Sequence, residues 1–383
     1  MNLELSEEQE AVRQLAEDFV AREITPHVVE WDRAESVDKS IVKKLGALGF
    51  LGLTVPEEYG GSGGDHLAYC LVTEELGRGD SSVRGIVSVS LGLVAKTIAS
   101  WGSEEQKQQW LPGLTSGEAI GCFGLTEPGT GSDAGNLTTR AVRDGEDYVV
   151  NGSKMFITNG TWADVVLLFA RTNDTPGHRG VSAFLVPADT PGLTRRTVHG
   201  KLGLRGQATA ELVLEDVRVP ASALLGPEGK GFSLAMSALA KGRMSVAAGC
   251  VGIAQAALDA AVRYAGEREQ FGKSIASYQL VQELISDISV DVDAARMLTW
   301  RVADLIDRGQ DFATAASTAK LFASEAAVRA ANNALQVFGG YGYIDEYPVG
   351  KLVRDARVMT LYEGTSQIQK LIIGRALTEV SAF

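Results

Sequence analysis

Cysteine and histidine are scarce in this chain, with three of one and four of the other. Cys70, Cys122 and Cys250 stand far apart, form no CxxC pair and are odd in number, which argues against a disulfide framework and for a reducing compartment. His27, His66, His178 and His199 are equally scattered, so no metal site is read from them. Basic residues are outnumbered, 36 against 48 acidic, for a net charge of -12. No basic cluster is long enough to mark a nucleic-acid surface, which removes that class of partner. No apolar run approaches the roughly 18 residues that span a bilayer, so no membrane segment is expected. The acidic, amphipathic start from Met1 to Glu10 is unlike a signal peptide or an arginine-rich transit peptide. A cytoplasmic location is expected, or the mitochondrial matrix for a mature eukaryotic form.

What the chain does have is a change of hydrophobic period, twice. At 383 residues it exceeds a single typical core and should divide into two or three domains. Residues 1–120 read as helices: Val12, Leu15, Ala16, Phe19 and Val20 recur at helical spacing, and Ser6 with Gln9 forms a candidate capping box. Pro26, the Pro56 to Gly64 stretch and Pro112 are expected to punctuate them. Residues 121–230 read as a small antiparallel β domain, with turns at Asp144-Gly145, Asn151-Gly152 and Asn159-Gly160 and strands such as Tyr148 to Val150 and Val165 to Ala170. Residues 231–383 return to the helical period, with Val281, Leu284, Ile285, Ile288, Val292 and Ala295 on one face of a long helix. The expected fold is α+β, with an N-terminal helical domain, a central antiparallel β domain and a C-terminal four-helix bundle.

Two segments carry chemistry. Leu361-Tyr362-Glu363-Gly364-Thr365-Ser366-Gln367 sets a lone carboxylate between an aromatic ring and a glycine. In apolar surroundings such a carboxylate is pushed toward its neutral form and becomes a better proton acceptor, as a general base requires. The plain alternative is a helix start capped by Thr365. Gly129-Thr130-Gly131-Ser132-Asp133-Ala134 matches the dinucleotide fingerprint GxGxxA. Its context contradicts that fold, because Asn136 to Val150 reads as strands and not as a helix opening on a pyrophosphate. Even so, Thr126, Gly129, Gly131 and Ser132 offer bare N–H groups and hydroxyls suited to a flat polar heterocycle or a phosphate; a simple Gly-Pro loop between domains is the other reading.

Four blocks then resemble the acyl-CoA dehydrogenase family over essentially the whole chain: Leu125-Thr126-Glu127-Pro128-Gly129-Thr130-Gly131-Ser132-Asp133; Lys154 to Gly160; Arg268 to Lys273; and Gln336 to Gly342 followed by Tyr362 to Thr365. The resemblance implies a flavoenzyme with FAD between the β domain and the C-terminal bundle. It places Phe123, Leu125, Thr126, Gly131, Ser132, Phe156, Ile157 and Thr158 around the flavin, with Thr365 and Gln367 toward the phosphates and adenine. Phe156 stands where relatives often carry tryptophan; either ring covers a flavin face, but phenylalanine brings no indole N–H. Arg268, Gln270, Phe271, Gln336, Gly339 and Gly340 match positions that reach the FAD of a neighbouring subunit, which implies a homotetramer, and Gln279 and Val337 are further cofactor-binding positions. Core packing for Phe156 and a solvated helix end for Arg268 are the plain alternatives.

By the same resemblance, Glu363 takes the proton alpha to a thioester carbonyl while hydride leaves the beta carbon for the flavin, giving a trans-2-enoyl-CoA. The thioester oxygen would be held by the Glu363 N–H and a ribityl hydroxyl, an oxyanion-hole arrangement. Ser132, Arg243, Gly364 and Arg375 match substrate contacts, and an electron-transferring flavoprotein is the implied acceptor. Ala240 departs from the pattern, since many relatives have an acidic residue there that contacts the adenine end. Some branches take their base from the helix carrying Arg243; here an arginine holds that place and Glu363 is intact. The implied substrate is a short- to medium- or branched-chain acyl-CoA. Ser82 to Val89 resembles the glutaryl-CoA dehydrogenase branch, in which Arg84 would hold a distal carboxylate, although Gly77 replaces that branch's decarboxylation glutamate. Otherwise Arg84 is a solvated charge at a helix start. The helix from Arg84 to Ser100 should line the far end of the acyl pocket. An acyl-CoA oxidase, or a non-catalytic helical scaffold with no use for Glu363, would share the patterning.

Overall fold

The computed structural model describes residues 4–381. Its N-terminal part consists of α1 (Glu7–Phe19), α2 (Val28–Ala34), α3 (Ile41–Ala47), α4 (His66–Gly79), α5 (Ser81–Val89), α6 (Lys96–Trp101) and α7 (Glu104–Ser116). The capping box at α1 forms as read: Gln9 N–H donates to Ser6 Oγ at 3.2 Å and Ser6 N–H to Gln9 Oε1 at 2.9 Å. Pro112 does not end a helix, because it lies inside α7, where the fold tolerates the one backbone donor it lacks. A π-helical segment, Ser90–Ala95, joins α5 to α6, so Ser81–Trp101 is one helical rod.

That rod corrects one expectation. It and α8 (Gly231–Glu267) are long and apolar enough to cross a bilayer, by length and composition alone. The reason is burial: 94% of the apolar window of the rod and 67% of that of α8 are enclosed by protein, and a helix covered on most sides is apolar on most sides.

The sheet comprises β1 (Gly121–Gly124), β2 (Arg140–Asp144), β3 (Asp147–Thr158), β4 (Val165–Arg171), β5 (Val181–Pro187), β6 (Leu193–Thr197), β7 (Thr209–Pro220) and β8 (Leu224–Leu225). Its order is β6-β7-β3-β2-β4-β5-β8, with β1 also on β4. Most pairings are antiparallel, as expected, but β1 and β2 run parallel to β4. β1 enters the sheet directly from the helical part, so no hairpin turn dictates its direction. Asp144-Gly145 closes the β2–β3 hairpin, with Gly145 at φ +65. Asn151-Gly152 is not a turn. It sits inside β3 at a register shift against β7, where Asn151 Nδ2 donates to Asp216 Oδ1 at 3.0 Å and a Cβ on Gly152 would lie 2.5 Å from Thr139 Oγ1.

The C-terminal part contains α8, a small hairpin of β9 (Glu269–Gln270) and β10 (Lys273–Ser274), α9 (Gln279–Asp307), α10 (Ala313–Phe338), α11 (Val349–Met359) and α12 (Ser366–Thr378). α10 packs on α8, α9, α11 and α12. Ile288, Val292 and Ala295 of the predicted α9 stripe are buried, and Val281, Leu284 and Ile285 pack beside them. α4 crosses α8 at backbone contact: a Cβ on Gly77 would stand 2.7 Å from Gly249 O, and one on Gly252 only 2.1 Å from Glu74 O. Position 77 therefore has no room for a glutamate.

Candidate active site

Glu363 lies in the turn from α11 to α12. Thr365 caps α12, its Oγ1 accepting from Ile368 N–H at 3.3 Å, so the plain reading of this segment is correct as far as it goes. The turn before it is strained. Glu363 at φ +52 and Gly364 at φ +91 are successive left-handed residues, and for a non-glycine that conformation costs about 1–2 kcal/mol. Lys320 Nζ at 2.8 Å and Gln369 Nε2 at 3.0 Å both donate to Gly364 O, and Gln369 Nε2 reaches Glu363 O at 3.2 Å. The strain persists because these bonds over-determine it.

The carboxylate points inward. Glu363 Oε2 is sealed from solvent and has no hydrogen-bond partner. It rests against α8 at Gly242, where an added Cβ would lie 2.4 Å from Oε2 and 2.9 Å from Leu93 Cδ2. Burial pushes the Glu363 carboxyl above its ordinary range, and Arg84, Lys320 and Arg243 offset that only in part.

Arg84 is not solvated. It is 1% exposed within α5, its Nη2 donates to Tyr362 Oη at 2.5 Å, and its Nε is buried without a partner. The side chain occupies space that exists because residue 249 is glycine; a Cβ there would come within 2.8 Å of Nε. None of the ion pairs among the described residues involves Arg84. Arg243, 8% exposed on α8, also leaves its Nε buried and unpaired. Behind this wall Tyr69 Oη donates to Ser245 Oγ at 2.9 Å, and Ser88 Oγ lies 2.8 Å from the same atom.

The β domain supplies the other side. Lys154 Nζ donates to Leu125 O at 3.2 Å and Met155 N–H to Thr126 O at 2.8 Å, tying the Leu125–Thr126 strap to β3. Glu127 accepts from Lys154 Nζ at 2.8 Å and from the N–H and hydroxyl groups of Thr138 and Thr139. Just beyond, Phe156 takes φ +60 at a second register shift in β3 and leaves its ring 66% exposed. Ile157 is buried, and Thr158 Oγ1 donates to Gln207 Oε1 at 3.3 Å. Gln207 abuts Gly85, so this strand end meets α5 one residue from Arg84. Phe123 packs at a tilt on Phe169, ring centroids 4.8 Å apart.

The remaining sequence-predicted residues divide. Gly131 and Ser132 are exposed on the loop after Glu127, with nothing within 4 Å of a Cβ on Gly129 or Gly131. Gln367 and Arg375 are exposed on α12. Arg268, Gln270, Val337, Gly339 and Gly340 line a separate cleft of about 550 Å³, with the Arg268 guanidinium 5.5 Å from the Tyr341 ring centroid. Gln279 and Gln336 are exposed, as is Phe271 at 95%. Val337 of this cleft and Lys320, whose Nζ bonds Gly364 O, both stand on α10, so about 26 Å of helix separates the cleft from the Glu363 turn.

Residues 6–118, 122–217 and 229–378 match the N-terminal, middle and C-terminal domains of acyl-CoA dehydrogenases. The chain belongs to the acyl-CoA dehydrogenase family. It is 45% identical to the human mitochondrial short-chain specific acyl-CoA dehydrogenase, over 97% of this chain and 90% of that one. Butyryl-CoA dehydrogenase from Megasphaera elsdenii superimposes with a TM-score of 0.97 at 41% identity, covering 99% of this chain and 100% of the other. Glutaryl-CoA dehydrogenase from Mycobacterium smegmatis in complex with FADH2 gives 0.95 at 38% identity, over 99% and 96%.

Three features of this acyl-CoA dehydrogenase escaped sequence reasoning. Nothing in the residues around Gly242 marks it as the floor under the Glu363 carboxylate. Tyr362 was read as a neighbour of the base and not as the partner of Arg84. Lys320 had a usable signal: it falls in phase with Ala316, Ala323 and Ala327 on the buried face of α10, where a charge is out of place.

Proposed function

We propose that this enzyme carries out FAD-dependent α,β-dehydrogenation of a short-chain acyl-CoA to the trans-2-enoyl-CoA, with Glu363 as base. The observation that carries the reading is the Glu363 carboxylate: on a half-buried turn, raised in pKa by desolvation, and with Oε2 sealed from solvent and unpartnered. Such a group gains most by accepting a proton. The residues present fit a flavin: an exposed ring at Phe156, hydroxyls at Thr126 and Thr158, and the open Gly129–Gly131 rim. When bound, FAD supplies the two-electron acceptor for the hydride that leaves the beta carbon. The chain's part is to orient and exclude water. The Glu363 N–H is the proposed donor to the thioester oxygen, while Arg243, Ser132, Gly364 and Arg375 bind the coenzyme A portion.

The cleft at Arg268 lies at the far end of α10 from the Glu363 turn. In line with the family resemblance, Arg268, Gln270, Phe271, Gln336, Gly339 and Gly340 are proposed to reach a neighbour's FAD in a homotetramer, with Gln279 and Val337 as further cofactor-binding positions. Exposed Phe271, at 95%, and Tyr343, at 87%, support a covered surface there. Arg268→Ala should release FAD and loosen the assembly together, read by flavin absorbance and sedimentation. An electron-transferring flavoprotein is the proposed acceptor.

Arg84 favours a second reading of the substrate. A buried guanidinium without a carboxylate partner would gain a charge-assisted hydrogen bond, about 1.5–3 kcal/mol, from an acyl chain ending in carboxylate. The test is kcat/KM for glutaryl-CoA against butyryl-CoA and hexanoyl-CoA, in the parent and in Arg84→Ala, with flavin bleaching under anaerobic conditions as the signal. Preference for butyryl-CoA in both supports the first reading. A glutaryl-CoA preference lost in Arg84→Ala supports the second, with oxidation but no efficient decarboxylation because Gly77 leaves no room for the glutamate.

A further inference from the structure

The Glu363–Gly364 turn is held by two side chains, and one carries a buried charge. Lys320 is fully buried on α10. Its hydrogen bond to Gly364 O, at 2.8 Å, is joined at the same oxygen by Gln369 Nε2 from α12. An amide alone would satisfy a carbonyl without desolvating an ammonium group, so the lysine brings something an amide does not. What it brings is charge. Of the acids around it, Glu325 is engaged by Ser366 Oγ at 2.5 Å, and burial pushes the Cys250 thiol up to about 12, which leaves it neutral. Glu363 is the carboxylate whose charge bears on Lys320 most strongly, ahead of Glu325.

We propose that Lys320 is a positioning residue for the dehydrogenation: through Gly364 O it sets the turn that aims the Glu363 carboxylate, and its ammonium keeps that carboxylate ionised. The inference rests on the reading of Glu363 as base. Desolvation favours the neutral form of Glu363, and a neutral acid accepts no proton. The other groups facing Glu363 are Arg84 on α5, Arg243 on α8, and the hydroxyls of Tyr69 on α4 and Tyr362, both held protonated by burial. The two arginines keep their charge throughout. Lys320 is the one cation of the three that burial brings near neutrality, down to about 8.

The experiment compares the flavin-loaded parent with Lys320→Met, Lys320→Arg, Gln369→Leu and Glu363→Gln, recording kcat and KM from pH 5 to 9 beside melting temperature and flavin content. Loss of a positive neighbour raises the pKa of a carboxylate. In Lys320→Met the acidic limb of kcat should therefore move to higher pH by about one unit. Its plateau should fall about 10-fold or more from misalignment, with KM little changed. Lys320→Arg should return the limb to its place, and Gln369→Leu should lower the plateau without moving it. A Lys320→Met limb that stays at the parent position overturns the proposal, as does a fall in kcat that merely follows lost flavin or melting temperature. If Lys320→Met does not fold, Lys320→Gln, which keeps a donor but no charge, decides the same point by whether its limb moves. Parent-like turnover in Glu363→Gln sinks the base reading itself; an inactive Glu363→Gln beside an unshifted Lys320→Met sinks only the role of the lysine.

Discussion

Two glutamates, one in the β domain and one beside the helical bundle, are desolvated to opposite effect. Glu127, in the β domain, meets five donors: Lys154 and the paired N–H and hydroxyl groups of Thr138 and Thr139. Burial pushes its pKa up, but the Lys154 charge and these hydrogen bonds outweigh it and hold the carboxyl down at about 2. Glu363, at the edge of the helical bundle, has three cations in its surroundings but no hydrogen bond to Oε2, and there burial wins. Partner geometry separates the structural carboxylate from the proposed base.

The largest test of that contrast is Glu363→Gln. Turnover should fall by about 10²- to 10⁴-fold with flavin and acyl-CoA still bound, as single-turnover bleaching would show. A carboxylate whose folded pKa is raised contributes stability below its unfolded pKa and loses it as pH rises through the folded value. Glu363→Gln should therefore melt higher than the parent at pH 8 and about level with it near pH 4.5. A lower melting temperature at pH 8 would mean that the base is well paired and the contrast false.

The mirror change, Glu127→Ala, should destabilise the protein by about 3–5 kcal/mol, because Lys154 is left buried and unpaired. The parent itself should show the opposite sign to Glu363. Stability from Glu127 is present above its ordinary value of 4.5 and lost as pH falls toward about 2, so a flattening of acid unfolding in Glu127→Gln across that window supports the assignment. Gly242→Ala sharpens the comparison from the other side. A methyl 2.4 Å from Oε2 must displace the carboxylate, and kcat should drop by about 10²-fold with little change in KM. Unchanged kcat there would show that Glu363 works from another position.

Much of the site was legible because it is local. The lone carboxylate beside Gly364, the Thr365 cap, the Ser6 capping box and the Asp144-Gly145 hairpin all depend on residues within a few positions of one another. Misreadings arose where a distant partner decides. Asn151-Gly152 has the composition of a turn, but Asp216 and Thr139 make it a bulge in β3. Pro112 has the look of a helix end, yet α7 carries it inside. Arg84 sits one turn into a helix, where solvation is the ordinary outcome, and nothing nearby in the chain announces that Gly249 clears space for its side chain or that Tyr362 receives it.

The sequence by itself determined the order of helices, strands and helices, the family, and Glu363 as the residue to watch, since periodicity, turn chemistry and short motifs are written in neighbouring residues. What Glu363 is worth as the proposed base is set by the packing around it. Its pKa depends on what surrounds it, and those surroundings come from α5, α8, α10 and α12: Arg84, Gly242 and Arg243, Lys320, and Gln369. Desolvation and charge act through space, and the residues that exert them are brought together by the packing of helices far apart in the chain.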